Sequence, residues 1–199
     1  MRCYLSILLF LLLLAPAKAQ PKYEVRAAWV TAVYGLDWPR TKATTPTAIR
    51  RQQEELTDIL DKLKAANFNT ILFQTRTRGD VLYHSSIEPY NSILTGKVDG
   101  DPGYDPLAFA VRECHKRGME CHAWMVAIPL GNKKHVASLG NKSVTKQRKE
   151  ICIPYKNEYF LNPGHPSTKE YLMKLVREVV TRYDIDGVHF DYLRYPENA

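Results

Sequence analysis

Residues 166–191 read PSTKEYLMKLVREVVTRYDIDGVHFD. Tyr171, Leu172, Leu175, Val176, Val179 and Val180 recur at helical spacing and make a wide apolar stripe, opened by His165-Pro166-Ser167 and ending near Tyr183. Asp186–Asp191 follows at once as a short strand. A helix that hands the chain straight to a strand is the return arm of a parallel crossover, since parallel neighbours need a long connection. The same grammar runs backward through the chain. Val25–Val33, VRAAWVTAV, is too continuous for a strand with one wet face and reads as buried. Thr45-Pro46 opens a helix whose Ile49, Leu56, Ile59, Leu60 and Leu63 share a face, with Asn67 just past its end. Thr70–Thr75 is a second strand, Asp105-Pro106 caps a helix running to Arg117-Gly118, and Met119 to about Ile128 is a third strand. The order is β-α-β-α-β-α-β with no hairpin signal between strands.

The class is α/β with parallel strands, and two architectures compete, an open doubly wound sheet and a closed barrel. Long loops, residues 76–105 and 129–163, fall after strands two and three, whereas the helix-to-strand turns are short. That asymmetry suits a barrel whose site lies on its βα loops. Tyr34-Gly35-Leu36-Asp37 after the first strand lacks the glycines of a dinucleotide-binding turn. Four units are about half of an eight-unit barrel. The chain of 199 residues, 45% hydrophobic and 25% charged, has the composition of one ordinary globular domain.

Met1-Arg2, the apolar run Leu5–Ala15 and Ala17-Lys18-Ala19 form a secretory leader over residues 1–19, too short to span a bilayer, so an exported protein with no stable membrane anchor is expected. The formal charge of +7 falls to +5 when Arg2 and Lys18 are removed with the leader. The basic residues are scattered, so nucleic acid is not an expected partner. Cys114, Cys121 and Cys152 allow at most one disulfide, and without metal-ligand spacing they read as buried structural residues.

The end of the fourth strand is where chemistry concentrates. Alternation sets His189 and Asp191 on one side and Val188 and Phe190 on the other, with Asp191 at the carboxyl end of the strand. There a carboxylate can serve an oxocarbenium-like centre while Tyr192 and Tyr195 stack on sugars; equally, Asp191 could tie down its loop through Arg194. Strand two ends with Gln74, Arg76, Arg78, Asp80 and Tyr83, where a barrel presents its ligand, although Arg78 and Asp80 also fit a loop salt bridge. His122 and Trp124 share a face of strand three. Trp124 reads as a sugar floor or as barrel filling, and His122 as a hydrogen-bonded core residue rather than a metal ligand. Asp37 and Trp38 complete a ring at four consecutive strand ends.

VRAAWVTAV, FQTRTRGDVLYHSSIEPYNSILTG (73–96), YDPLAFAVRECHKRGMECHAW (104–124) and YFLNPGHPSTKEYLMKLVREVVTRYDIDGVHFDYLRYP (159–196) together resemble the glycosyl-hydrolase-like family 10 domain, also called domain of unknown function 187. The likeness covers about Glu24 to Pro196, within a barrel domain taken as 24–199. It implies the N-terminal half of a TIM-type barrel in exported bacterial proteins acting on cell-envelope or dietary polysaccharides, peptidoglycan glycan strands foremost. By position Asp191 matches the family's strand-four Asp; Gln74, Arg76, Gly79, Asp80 and Tyr83 match its strand-two motif, and Trp124 its strand-three motif. The chain departs from the family where Met125–Pro129 replaces an Asn-Pro-Tyr-like loop, and where it stops after strand four.

Two functions follow as expectations. One is an exported glycoside hydrolase with Asp191 and Asp80 as catalytic carboxylates and Gln74, Arg76, Arg78, Tyr83, Trp124, His122, His189, Tyr192, Arg194 and Trp38 as substrate contacts. The other is a non-catalytic or vestigial carbohydrate-binding half-barrel. A metal-dependent deacetylase would need clustered His and Asp ligands that the sequence lacks, so neither metal nor cofactor is expected. Glu197 is a poor acid partner for Asp191. The 199-residue chain is therefore expected to bind glycan weakly and to turn it over little without the missing half of the barrel.

Overall fold

The computed structural model describes residues 24–196, so the expected leader, Cys3 and Glu197 lie outside the described residues. Four parallel strands, β1 (Ala27–Val30), β2 (Thr70–Arg76), β3 (Glu120–Val126) and β7 (Gly187–Asp191), pair in chain order. Helices α1 (Pro46–Ala65), α2 (Pro106–Lys116) and α5 (Pro166–Arg182) make the three crossovers. This is the expected α/β repeat of a partial barrel.

The helix boundaries follow from their caps. Thr45 Oγ1 accepts from the Ala48 N–H at 3.1 Å and Asp105 Oδ1 from the Ala108 N–H at 3.0 Å, with Pro46 and Pro106 in the first turns where a missing N–H costs nothing. Behind the sheet, Leu56, Leu60, Leu107, Ala110, Leu175 and Val179 pack with Ile71, Phe73, Cys121, Ala123 and Met125 in one buried cluster. The stripe on α5 is wider than its cover. Val180 remains 49% exposed, and so does 39% of Phe190 on β7.

The opposite face is concave. Trp29, Leu72, His122 and Gly187 occupy one register row across the four strands, and Gln74, Trp124 and His189 the next. Strands sit about 4.8 Å apart, so three spacings would separate β1 from β7 by about 14 Å in a flat sheet. The rings of Trp29 on β1 and His189 on β7 nevertheless meet edge to face at 5.9 Å. The sheet is curled toward this side as a barrel wall is.

Residues 129–163 are not the plain loop the sequence suggested. They hold an antiparallel sheet, β4 (Pro129–Asn132), β5 (Cys152–Tyr155) and β6 (Glu158–Leu161) in the order β4-β6-β5, with short helices α3 (Lys133–Ser138) and α4 (Val144–Gln147). Four-residue strands carrying Pro129, Gly131 and Pro154 are too short and too punctuated to show a period of two. Tertiary contacts supply what the pattern lacks: Phe160 and Leu161 are buried, and the Leu161 N–H donates to Ile128 O at 2.8 Å.

Candidate functional site

A cleft of about 620 Å³ opens above the carboxyl ends of the parallel strands, where barrels carry their sites. Gln74, Trp124 and Asp191 belong to its floor, the β5–β6 hairpin makes one wall, and the chain after β7 makes another. Asp191 accepts hydrogen bonds at both oxygens, from Trp124 Nε1 at 3.2 Å and from the Tyr192 N–H at 2.7 Å. Trp124 thus aims the carboxylate as well as lining the floor. Tyr192, at φ 51°, turns the chain out of the strand and lies under the Arg194 guanidinium, 5.0 Å from its ring centre.

Gln74 is 1% exposed. Its Oε1 takes hydrogen bonds from Thr31 Oγ1 (2.8 Å) and the Ala32 (2.7 Å) and Val33 (3.2 Å) N–H groups. Three donors fix which end of the amide is oxygen, so Nε2 is the end left over. It makes no hydrogen bond with the described residues, and Gln74 lines the cleft. Arg78 lines the cleft too, while its carbonyl lies 3.0 Å from His135 Nε2. Tyr192 and Arg194 complete the expected residues that the fold brings together.

The other expected contacts are held elsewhere. Asp80 is 1% exposed and does not line the cleft. Its Oδ1 accepts from Thr77 Oγ1 and, at 3.2 Å, from the Arg78 N–H, while His135 Nε2 lies 3.5 Å from Oδ2. A short-range carboxylate that closes its own turn is a loop device. Arg76 is fully buried and forms a two-pronged pair with Glu88, Nε to Oε2 and Nη2 to Oε1 at 2.7 Å each. Arg76 Nη1 also donates to the Val126 and Ala127 carbonyls, and Tyr171 Oη donates to Glu88 Oε1 at 2.7 Å. Burial alone would lower the Arg76 pKa; the facing Glu88 carboxylate overrides it and raises it.

Tyr83 is buried against the Tyr183 ring, and its hydroxyl has no partner among the described residues. Trp38 is fully buried, donating from Nε1 to Gln52 O at 2.8 Å with its ring on Phe73. It is core, because its strand-one turn folds back under α1. His122, 3.0 Å from Glu120 Oε2, and His189, against Trp29, lie on the concave face outside the cleft lining. The residues that sequence reasoning missed are Tyr155, Glu158 and Phe160, on strands whose periodicity was invisible. Among the described residues no cluster of three His, Cys, Asp or Glu could hold a metal, and no helix is long and apolar enough to cross a membrane.

A site with this placement invites comparison with known proteins. The structure is similar to a noncanonic maltogenic α-amylase, AmyB, from Thermotoga neapolitana (TM-score 0.54, 15% identity, 86% of this chain and 39% of that one). It is also similar to a hypothetical protein from Ruminiclostridium thermocellum ATCC 27405 (TM-score 0.54, 17% identity, 72% of each chain). At these identities the likeness speaks for the fold alone. In sequence the chain is 34% identical over 181 residues to glycosyl hydrolase YngK of Bacillus subtilis (strain 168), covering 90% of this chain and 35% of that protein. It is 34% identical over 197 residues to glycosyl hydrolase DigH of Escherichia coli (strain K12), covering 92% of this chain and 45% of that protein. The chain therefore spans less than half the length of these relatives. Residues 24–199 match the family model described as Glycosyl hydrolase-like 10. With that match over all the described residues, and a curled parallel sheet carrying its cleft where such barrels work, the chain belongs to the glycosyl hydrolase-like 10 family.

Proposed function

We propose that this chain carries the substrate cleft of an exported glycoside hydrolase that acts on a polysaccharide, with peptidoglycan glycan strands the leading class. The observation that carries the reading is the setting of Asp191: a carboxylate at a strand's carboxyl end, with N–H donors on both oxygens, in a cleft lined by Trp124, Tyr155, Tyr192 and Tyr195. Aromatic faces suit the apolar sides of sugar rings, and a fixed carboxylate can serve as nucleophile or as base toward water. The relatives described as glycosyl hydrolases support the reaction class, and the leader pattern at residues 1–19 supports export.

The test is release of new reducing ends from peptide-free glycan strands and from other polysaccharides, alongside binding by calorimetry. Turnover that disappears in Asp191→Asn, with binding kept, supports a hydrolase. Binding without turnover, by the unaltered chain and also by a version extended through the rest of the barrel, would favour a carbohydrate-binding module instead.

A further inference from the structure

The cleft lining contains a second carboxylate, on an element outside the β/α repeat. Glu158 opens β6, opposite Tyr155 of β5 and Asn132 of β4 in the antiparallel register. The hairpin that carries it is anchored at several points. The Lys133 N–H donates to Asn157 O at 3.0 Å, and the Asn162 N–H to Ile151 O at 2.7 Å. Glu158 and Asp191 are the carboxylates among the residues that line the cleft.

Their surroundings differ in a way that divides the work. Both oxygens of Asp191 receive N–H donors, which casts it as an acceptor. The Glu158 carboxylate is half-buried and makes no hydrogen bond or ion pair with the described residues, so it is open to carry a proton to a ligand. The same cleft is lined by Gln74, nine-tenths and more buried, whose Nε2 has no hydrogen-bond partner among the described residues. An unmatched donor that reaches a cleft can be matched by a ligand oxygen, and sugar hydroxyls supply such oxygens.

We propose that Glu158 is the general acid that works opposite Asp191, an assignment that rests on the glycosidase reading above. Glu158 gives its proton to the glycosidic oxygen as the bond from that oxygen to the anomeric carbon breaks and its electron pair passes to the oxygen. The oxygen of a water molecule bonds to the anomeric carbon, and the proton that water sheds goes to Asp191. Exchange with solvent then returns a proton to Glu158 and removes one from Asp191. Single displacement of this kind suits carboxyl groups about 6.5–9.5 Å apart; at about 5 Å Asp191 attacks first and Glu158 remains the acid.

The experiment compares the full chain with Glu158→Gln, Glu158→Ala and Asp191→Asn on two probes, peptide-free glycan strands and a dinitrophenyl glycoside of N-acetylglucosamine. The dinitrophenolate leaves without a proton. Both Glu158 variants should lose about 10²- to 10⁴-fold in kcat/KM on strands, lose the alkaline fall of the pH profile, and keep the dinitrophenyl rate within a few-fold. Asp191→Asn should lose both activities. Glu158 variants as active as the unaltered chain on strands, or equally impaired on both probes, would overturn the assignment while a dead Asp191→Asn left the glycosidase reading standing. Inactivity on both probes of the unaltered chain and also of a version extended through the rest of the barrel would sink the glycosidase reading, and this assignment with it.

Discussion

Asp191 and Arg76 show two fates for a charged side chain at a strand end. Asp191 is only partly buried and keeps its oxygens at the cleft, held by Trp124 and by its own turn. Asp191→Asn should lower turnover by at least about 10²-fold while changing glycan affinity little, which kcat/KM and calorimetry would separate. Trp124→Phe keeps the ring and deletes the N–H. One hydrogen bond contributes about 0.5–1.5 kcal/mol, so a loss of about 2- to 10-fold in kcat/KM is expected; an unchanged rate would remove Trp124 as the residue that positions the carboxylate. Arg76, by contrast, is sealed with Glu88 and Tyr171. Arg76→Met leaves a buried carboxylate without its partner and should destabilise the fold by about 3–5 kcal/mol in denaturant unfolding. A change below about 1 kcal/mol would show that the pair is not essential to the packing.

At the scale of elements, the turn into β7 is tied to β3 and α2 by one carboxylate. Asp186 Oδ2 accepts from the Cys121 N–H at 2.7 Å and lies 2.9 Å from His115 Nε2. Burial pushes the Asp186 carboxyl up, but the Cys121 N–H and His115 outweigh it and hold the pKa below its ordinary 3.8. A carboxyl lowered by folding adds stability that is present above the unfolded pKa and is lost as pH falls through the folded one. Asp186→Asn should therefore destabilise the chain at neutral pH and flatten the loss of stability below about pH 4, read from unfolding midpoints across pH. The β4 turn depends on Gly131, which sits at φ +93° with its missing Cβ only 2.7 Å from the His135 ring. Gly131→Ala should cost about 1–3 kcal/mol and disturb the His135 contact with Asp80; an unshifted melting temperature would contradict this.

Over the whole molecule, β2 and β3 are flanked on both sides, whereas among the described residues β1 and β7 each pair with one strand. Amide exchange should be slowest in β2 and β3 and faster along the outer N–H groups of β1 and β7. Uniform protection across all four strands would mean that something covers those edges in solution. The tryptophans report the same asymmetry. Trp38 is fully buried and Trp29 is 55% exposed on the concave face. Trp29→Phe should remove most of the fluorescence that acrylamide quenches, and glycan bound in the cleft should change the emission of Trp124 while leaving Trp38 untouched.

The helical stripe of Tyr171 to Val180, the caps at Thr45 and Asp105 and the continuous runs of β1, β2 and β3 set the α/β repeat by themselves, because they are local signals in which pattern and propensity agree. Strand alternation likewise put His189 and Asp191 on one side, and the fold keeps Asp191 at the cleft. Asp80, Arg76, Tyr83 and Trp38 looked like ligand contacts because they follow strand ends. Their partners, His135, Glu88, Tyr183 and Gln52, lie 12 to 100 residues away in the chain, and no local sequence pattern shows such pairings. Glu158 is the converse case. Nothing local distinguishes it from any surface glutamate; it lines the cleft because β6 pairs with β4 and β5 in a sheet made by tertiary contacts rather than by periodicity. The order of elements is thus written along the chain, while the choice of which polar groups face the cleft and which are sealed in the core belongs to long-range packing alone.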